Sequence, residues 1–165
     1  MDHYTALPIH PAALRELRDR DDAGRACVPY GDPEGGSPLR CCLRRSVAGE
    51  EIALVSYAPL RRWAAETGAA PGAYDEQGPV FIHAEDCGGP GPEAGRHYAL
   101  PGALRTVRRY DAAGRIAGGG LVELGEDPEA DLDRALAEAF ADPGVVLAHV
   151  RAVEYGCFQF EVRRH

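Results

Sequence analysis

The chain has 165 residues, 45% of them hydrophobic and 27% charged, with 26 acidic residues against 18 basic ones for a net charge of −8. That length suits one domain, residues 1–165, around a single core. No apolar run is long enough for a membrane helix, and an acidic surface without a basic block repels a phosphate backbone, so neither membrane nor nucleic acid is expected as a partner. All 18 basic residues are arginine, which excludes Schiff-base chemistry through lysine. The first residues, Met1-Asp2-His3-Tyr4-Thr5, lack the basic start and apolar stretch of a secretory signal, so a cytoplasmic location is expected. Cys27, Cys41, Cys42, Cys87 and Cys157 are odd in number and irregular in spacing, which predicts free thiols.

Tyr4 to Ile9 reads as a short strand, followed by a helix that opens at His10-Pro11 and turns Leu14 and Leu17 to the core. Residues 31–38 are rich in glycine, proline and acid, and predict a loop. Leu39 to Arg44 alternates as a strand that sends Leu39, Cys41 and Leu43 inward and Arg40, Cys42 and Arg44 to the opposite face. On that pattern the adjacent cysteines do not share a role. Ala48-Gly49-Glu50 turns the chain into Glu51 to Tyr57, apolar on both faces and so interior to a sheet. A short helix is expected over Leu60 to Thr67, ended by Gly68.

Val80 to Ala84 is the next strand, with Phe81 and His83 on one face, and it runs directly into Glu85, Asp86 and Cys87. Leu104 to Tyr110 and Arg115 to Val122 flank Asp111-Ala112-Ala113-Gly114 as a hairpin, and Gly118-Gly119-Gly120 predicts a bulge or a close backbone approach. Asp127-Pro128 starts the clearest helix, with Leu132, Ala135, Leu136, Ala139 and Phe140 on one stripe. A second hairpin joins Val145–Val153 to Cys157–Arg163. A simple register opposes Val153 to Cys157, Arg151 to Gln159 and His149 to Glu161, all on one polar face. These elements predict an α+β fold, a mostly antiparallel sheet with its two main helices, the first one and that over 128–140, packed on one face.

Pro38 to Leu43, Gly78 to Ala84 with Cys87 close behind, Arg109 to Arg115, and Tyr155-Gly156-Cys157-Phe158 together resemble the bacterial family called domain of unknown function 1203. The resemblance covers nearly the whole chain and implies no particular activity, cofactor or catalytic residue. It implies that Arg40, Cys41, Cys42, His83, Cys87 and Cys157 belong to family motifs.

Three site chemistries fit these residue types. His83 and Cys87, completed by Cys42, Cys157 or His97, suit zinc or another soft metal, although a lone His-x-x-x-Cys pair also fits a hydrogen-bonded histidine beside a packed cysteine. His83 or His149 beside Cys42 or Cys157 suits a nucleophilic or redox thiol, set against cysteines that merely fill sheet positions. Arg40 and Arg151 as anion holders, with Tyr57, His149, Gln159 and Glu161 fixing orientation, suit an anionic small-molecule ligand. On that reading Cys42, His83 and Cys157 are the catalytic candidates of an enzyme built on the same face. The ordinary alternative for that face is a solvated cross-strand surface. A protein-interaction module needs none of these groups to meet.

Overall fold

The computed structural model describes residues 4–91 and 99–165, and the fold is α+β, as expected, with two antiparallel sheets. The chain divides into two compact units: Pro8–Pro59 with Glu76–Tyr98, and Met1–Leu7 with Leu60–Asp75 and Ala99–His165. The single sheet expected from the sequence is thus two sheets, in units of three and four strands.

In the three-stranded unit, α1 (Pro11–Leu17) starts with proline at its first turn, and the His10 imidazole caps it by accepting from the Ala12 N–H at 3.1 Å. It buries Ala13, Leu14 and Leu17. The sheet runs β1 (Tyr30–Gly31), β2 (Glu51–Tyr57), β3 (Gly78–His83), so β2 is central, as its two-sided apolar pattern requires. Leu17, Leu39, Ile52, Ala53 and Ile82 are fully buried in this unit.

Leu39 to Arg44 is not a strand. The Leu39 carbonyl accepts from the Leu43 N–H at 3.0 Å, Leu43 adopts a left-handed φ of 58°, and the chain doubles back so that Leu39 N–H donates to the Arg44 carbonyl. Apolar alternation cannot separate a strand from such a turn when the turn is itself buried, and Leu39, Arg40, Cys41, Cys42 and Leu43 all are. The turn lies along β3: Arg40 N–H donates to the Phe81 carbonyl at 2.9 Å, and Leu39 bridges Phe81 in parallel. The turn thus occupies part of this edge of β3.

In the four-stranded unit the order is β5-β4-β6-β7, built from β4 (Leu104–Tyr110), β5 (Ile116–Glu123), β6 (Leu147–Ala152) and β7 (Phe158–Arg163). The first hairpin turns where Asp111 accepts from the Ala113 and Arg115 N–H groups, with Gly114 at φ 84°. The glycine run does carry a bulge: register shifts at Arg109/Tyr110, and the Arg109 guanidinium occupies the space that a side chain on Gly118 would need. α2 (Pro59–Thr67) brings Leu60 and Trp63 against Tyr110 and Leu147. α3 (Pro128–Ala141), capped by Asp127, packs on β4 and β5. The two helices expected on one sheet, α1 and α3, belong to different units.

The expected strand over Tyr4 to Ile9 is reduced to one bridge, Leu7 to Glu161, because Pro8 supplies no N–H to continue the ladder. In the last hairpin His149 does oppose Glu161. A bulge at Val150/Arg151 then sets Arg151 opposite Phe158 rather than Gln159.

Candidate metal centre

The buried turn and the end of β3 bring four soft donors together. Cys41, Cys42, His83 and Cys87 each offer a ligand atom, all within 4.8 Å of one another. Cys41 Sγ lies 3.3 Å and Cys42 Sγ 3.7 Å from His83 Nδ1, and the two sulfurs are 3.9 Å apart. The His83 backbone N–H also donates to Cys41 Sγ at 3.2 Å, which ties the turn to the strand. Tetrahedral zinc, with Zn–S about 2.3 Å and Zn–N about 2.0 Å, requires sulfur–sulfur edges of about 3.8 Å and sulfur–nitrogen edges of about 3.5 Å. The three observed edges match this within a few tenths of an ångström.

The other side of the imidazole is fixed by charge. His83 Nε2 lies 3.2 Å from Glu50 Oε2, and Arg44 grips the same carboxylate at 2.6 and 3.1 Å. The Val47 N–H donates to it as well, at 2.9 Å. Arg44, ahead of the other partners, holds the Glu50 carboxyl down to about 2, so it is an ionised acceptor. An ionised carboxylate can only accept. Arg44 Nη2 also lies 3.3 Å from His83 Nε2, but the contact to the Glu50 carboxylate is made only by the tautomer with its proton on Nε2, which turns the Nδ1 lone pair toward the sulfurs. Carboxylate, imidazole and metal in series is the usual support of a ligating histidine.

The thiols are electrostatically unequal. The hydrogen bond from Cys41 holds Cys42 well below an ordinary thiol, against the opposing effect of burial, while that same bond and burial push Cys41 up. Of the two, Cys42 is thus the more acidic.

The remaining sequence candidates fall in two places. Arg40 and Tyr57 are buried in the three-stranded unit, and the Arg40 guanidinium donates to the Pro38 carbonyl of its own turn. His149, Arg151, Cys157, Gln159 and Glu161 are in the four-stranded unit. There the polar face is not solvated, the ordinary alternative to a ligand site: His149, Gln159 and Glu161 are buried, and the His149 ring lies against Tyr110 and Phe158 with centroids 4.8 and 5.1 Å away. Arg151 Nε donates to the Gly156 carbonyl, and Cys157 Sγ to that of Tyr155. Cys157 is outside the four-donor group, and His97 is outside the described residues.

His149 gives the four-stranded unit a pH signature. Burial lowers its pKa from 6.5, and neither ring nitrogen has a good hydrogen bond among the described residues, the nearest carboxylate oxygen of Glu161 being 3.5 Å from Nε2. Burial alone would raise Glu161, but its partners outweigh it and the net direction is down; with His149 neutral, Arg163 at 2.7 Å carries the counter-charge. Below pH 6.5 the unfolded chain binds a proton at residue 149 that the folded chain refuses, so stability falls as pH falls, by at most about 1.4 kcal/mol per pH unit for one group. Denaturant titrations between pH 8 and 5 are expected to show this decline, and His149→Phe to remove that share of it. An equal slope in the variant would refute the assignment.

The sequence pattern offered His83 and Cys87 as ligands, completed by Cys42, Cys157 or His97, but it assigned Cys41 to packing and gave no role to Arg44 or Glu50. The signal that was available is the adjacency of two cysteines in a segment short enough to be a turn. Arg44 and Glu50, which close the site from the second side, are set against His83 by tertiary contacts and carry no local motif.

Comparison with curated proteins and with solved structures gives no match. One family model does match, over residues 36–164, a span that contains all four donors as well as Arg44 and Glu50. On that match the chain belongs to the family described as Protein of unknown function (DUF1203).

Proposed function

We propose that this protein binds a thiophilic divalent metal of the zinc class through Cys41, Cys42, His83 and Cys87. The observation that carries the reading is the three edges among Cys41, Cys42 and His83, which have tetrahedral dimensions, with the Cys87 donor within 4.8 Å of each. The Glu50–His83 contact supports it, because it leaves Nδ1 free to ligate. Three thiolates and one imidazole select a soft or borderline ion over magnesium or calcium, which take oxygen ligands. The anionic-ligand reading asks Arg40 and Arg151 to hold one ligand, and each guanidinium donates to a nearby carbonyl.

Elemental analysis of the full chain after zinc loading and desalting tests the proposal. One equivalent per chain is expected, with a thiolate-to-metal charge-transfer band when cobalt(II) replaces zinc. Cys41→Ser and His83→Ala are expected to lose both signals. A wild-type chain that retains no metal would end this reading.

Thiol chemistry is a second reading, favoured by the lowered Cys42. It expects iodoacetamide to modify Cys42 of the metal-free protein ahead of the other cysteines.

A further inference from the structure

The four donors are not held alike. Cys41, Cys42 and His83 are 1%, 4% and 8% exposed. Their backbones are fixed by the Leu43-to-Leu39 turn bond, by the Arg40-to-Phe81 bond onto β3, and by the His83 N–H on Cys41 Sγ. Cys87 is half-buried and lies between exposed Asp86 and exposed Gly88. The backbone bond beside it is local, from the Gly88 N–H to Asp86 Oδ1 at 2.9 Å, and Gly88 and Gly89 follow at φ 77° and 81°. Three ligands therefore form a rigid base, and the fourth approaches from a loop with an acidic flank, Glu85 and Asp86, both exposed.

We infer that the centre releases its metal by ligand exchange at Cys87, and that the acceptor is a thiol. This rests on the metal reading above and says what the site does with its ion. A thiolate is the acceptor chemistry the geometry favours, because it replaces Cys87 with a ligand of the same charge and softness and leaves the other three bonds in place. The incoming thiol loses its proton to solvent as its sulfur bonds the metal. The metal–Cys87 bond breaks and the departing thiolate takes a proton from solvent; the bonds to Cys41, Cys42 and His83 then break in turn as further acceptor thiols, each losing its proton to solvent, replace them, with no change of oxidation state. The acidic flank suits an acceptor whose thiol is accompanied by positive charge.

Stopped-flow release of zinc from the loaded full chain to a colorimetric chelator, with cysteamine as the thiol probe, tests the inference. The release rate is expected to rise in proportion to cysteamine concentration and not to respond to its S-methyl ether. Cys87→Ser is expected to load still, with affinity lowered on the order of a hundredfold, and to release zinc faster and without thiol dependence. In the loaded wild-type protein, iodoacetamide should reach Cys87 before Cys41 or Cys42. Thiol-independent release from the wild type, unchanged thiol dependence in Cys87→Ser, failure of Cys87→Ser to load, or equal alkylation of the three cysteines would each overturn the inference while leaving a metal site standing. Failure of the wild-type chain to load overturns the metal reading itself.

Discussion

Saturating zinc is expected to raise the melting temperature of this protein, and chelation to reverse the shift, with Cys41→Ser and His83→Ala showing neither response. A metal that binds only the folded chain stabilises it by RT ln(1 + [L]/Kd), about 4 kcal/mol at a free concentration a thousandfold above Kd. The four donors come from a turn at 41–42, a strand end at 83 and a loop at 87, so the unfolded chain offers no preformed set. The response should also grow with pH. Cys41 is held protonated by burial and by its bond to Cys42, and metal must displace that proton. Each proton released on loading raises the apparent affinity up to about tenfold per pH unit while the thiol remains protonated. Calorimetry in buffers of different ionisation enthalpy counts those protons. A zinc-dependent shift that is as large in His83→Ala would show that the ion binds elsewhere.

Leu39→Ala is expected to cost about 2–5 kcal/mol, the usual range for truncating a fully buried leucine whose surroundings cannot collapse around the void. Leu39 is completely buried, its carbonyl accepts the bond that closes the cysteine turn, and it bridges Phe81 of β3. Loss of its side chain therefore weakens the support of both Cys41 and His83. Leu54→Ala, on β2 but 51% exposed, is the comparison and should cost well under half as much. Chemical denaturation of the metal-free variants measures both. Similar costs at the two positions would show that the turn is not anchored through Leu39.

The elements that were legible in the sequence are those whose partners are neighbours in the chain. The hairpin at Asp111–Gly114 announces itself by a turn residue whose side chain accepts from the N–H groups just beyond it, and α3 by Asp127, Pro128 and a stripe spaced at the helical period. The His149–Glu161 pairing followed from the same local counting. That counting failed one residue later, because a bulge has no reliable side-chain signature when its extra residue, here Gln159, is compatible with a strand. The burial of that hairpin's polar face was not legible for a related reason. Alternation shows which residues share a face, but not whether something covers it, and rings from Tyr110 and Phe158 enclose His149.

By itself, the sequence determined the α+β class, the central place of Glu51–Tyr57, the two hairpins, and the nearness in the chain of the soft donors His83 and Cys87. Tertiary structure alone decided that there are two sheets, and that Cys41 and Cys42 both face the imidazole. The physical reason is one reversal: Leu43 takes a left-handed conformation, the turn folds onto the edge of β3, and contacts between residues some 40 positions apart replace the alternation that a strand would have imposed.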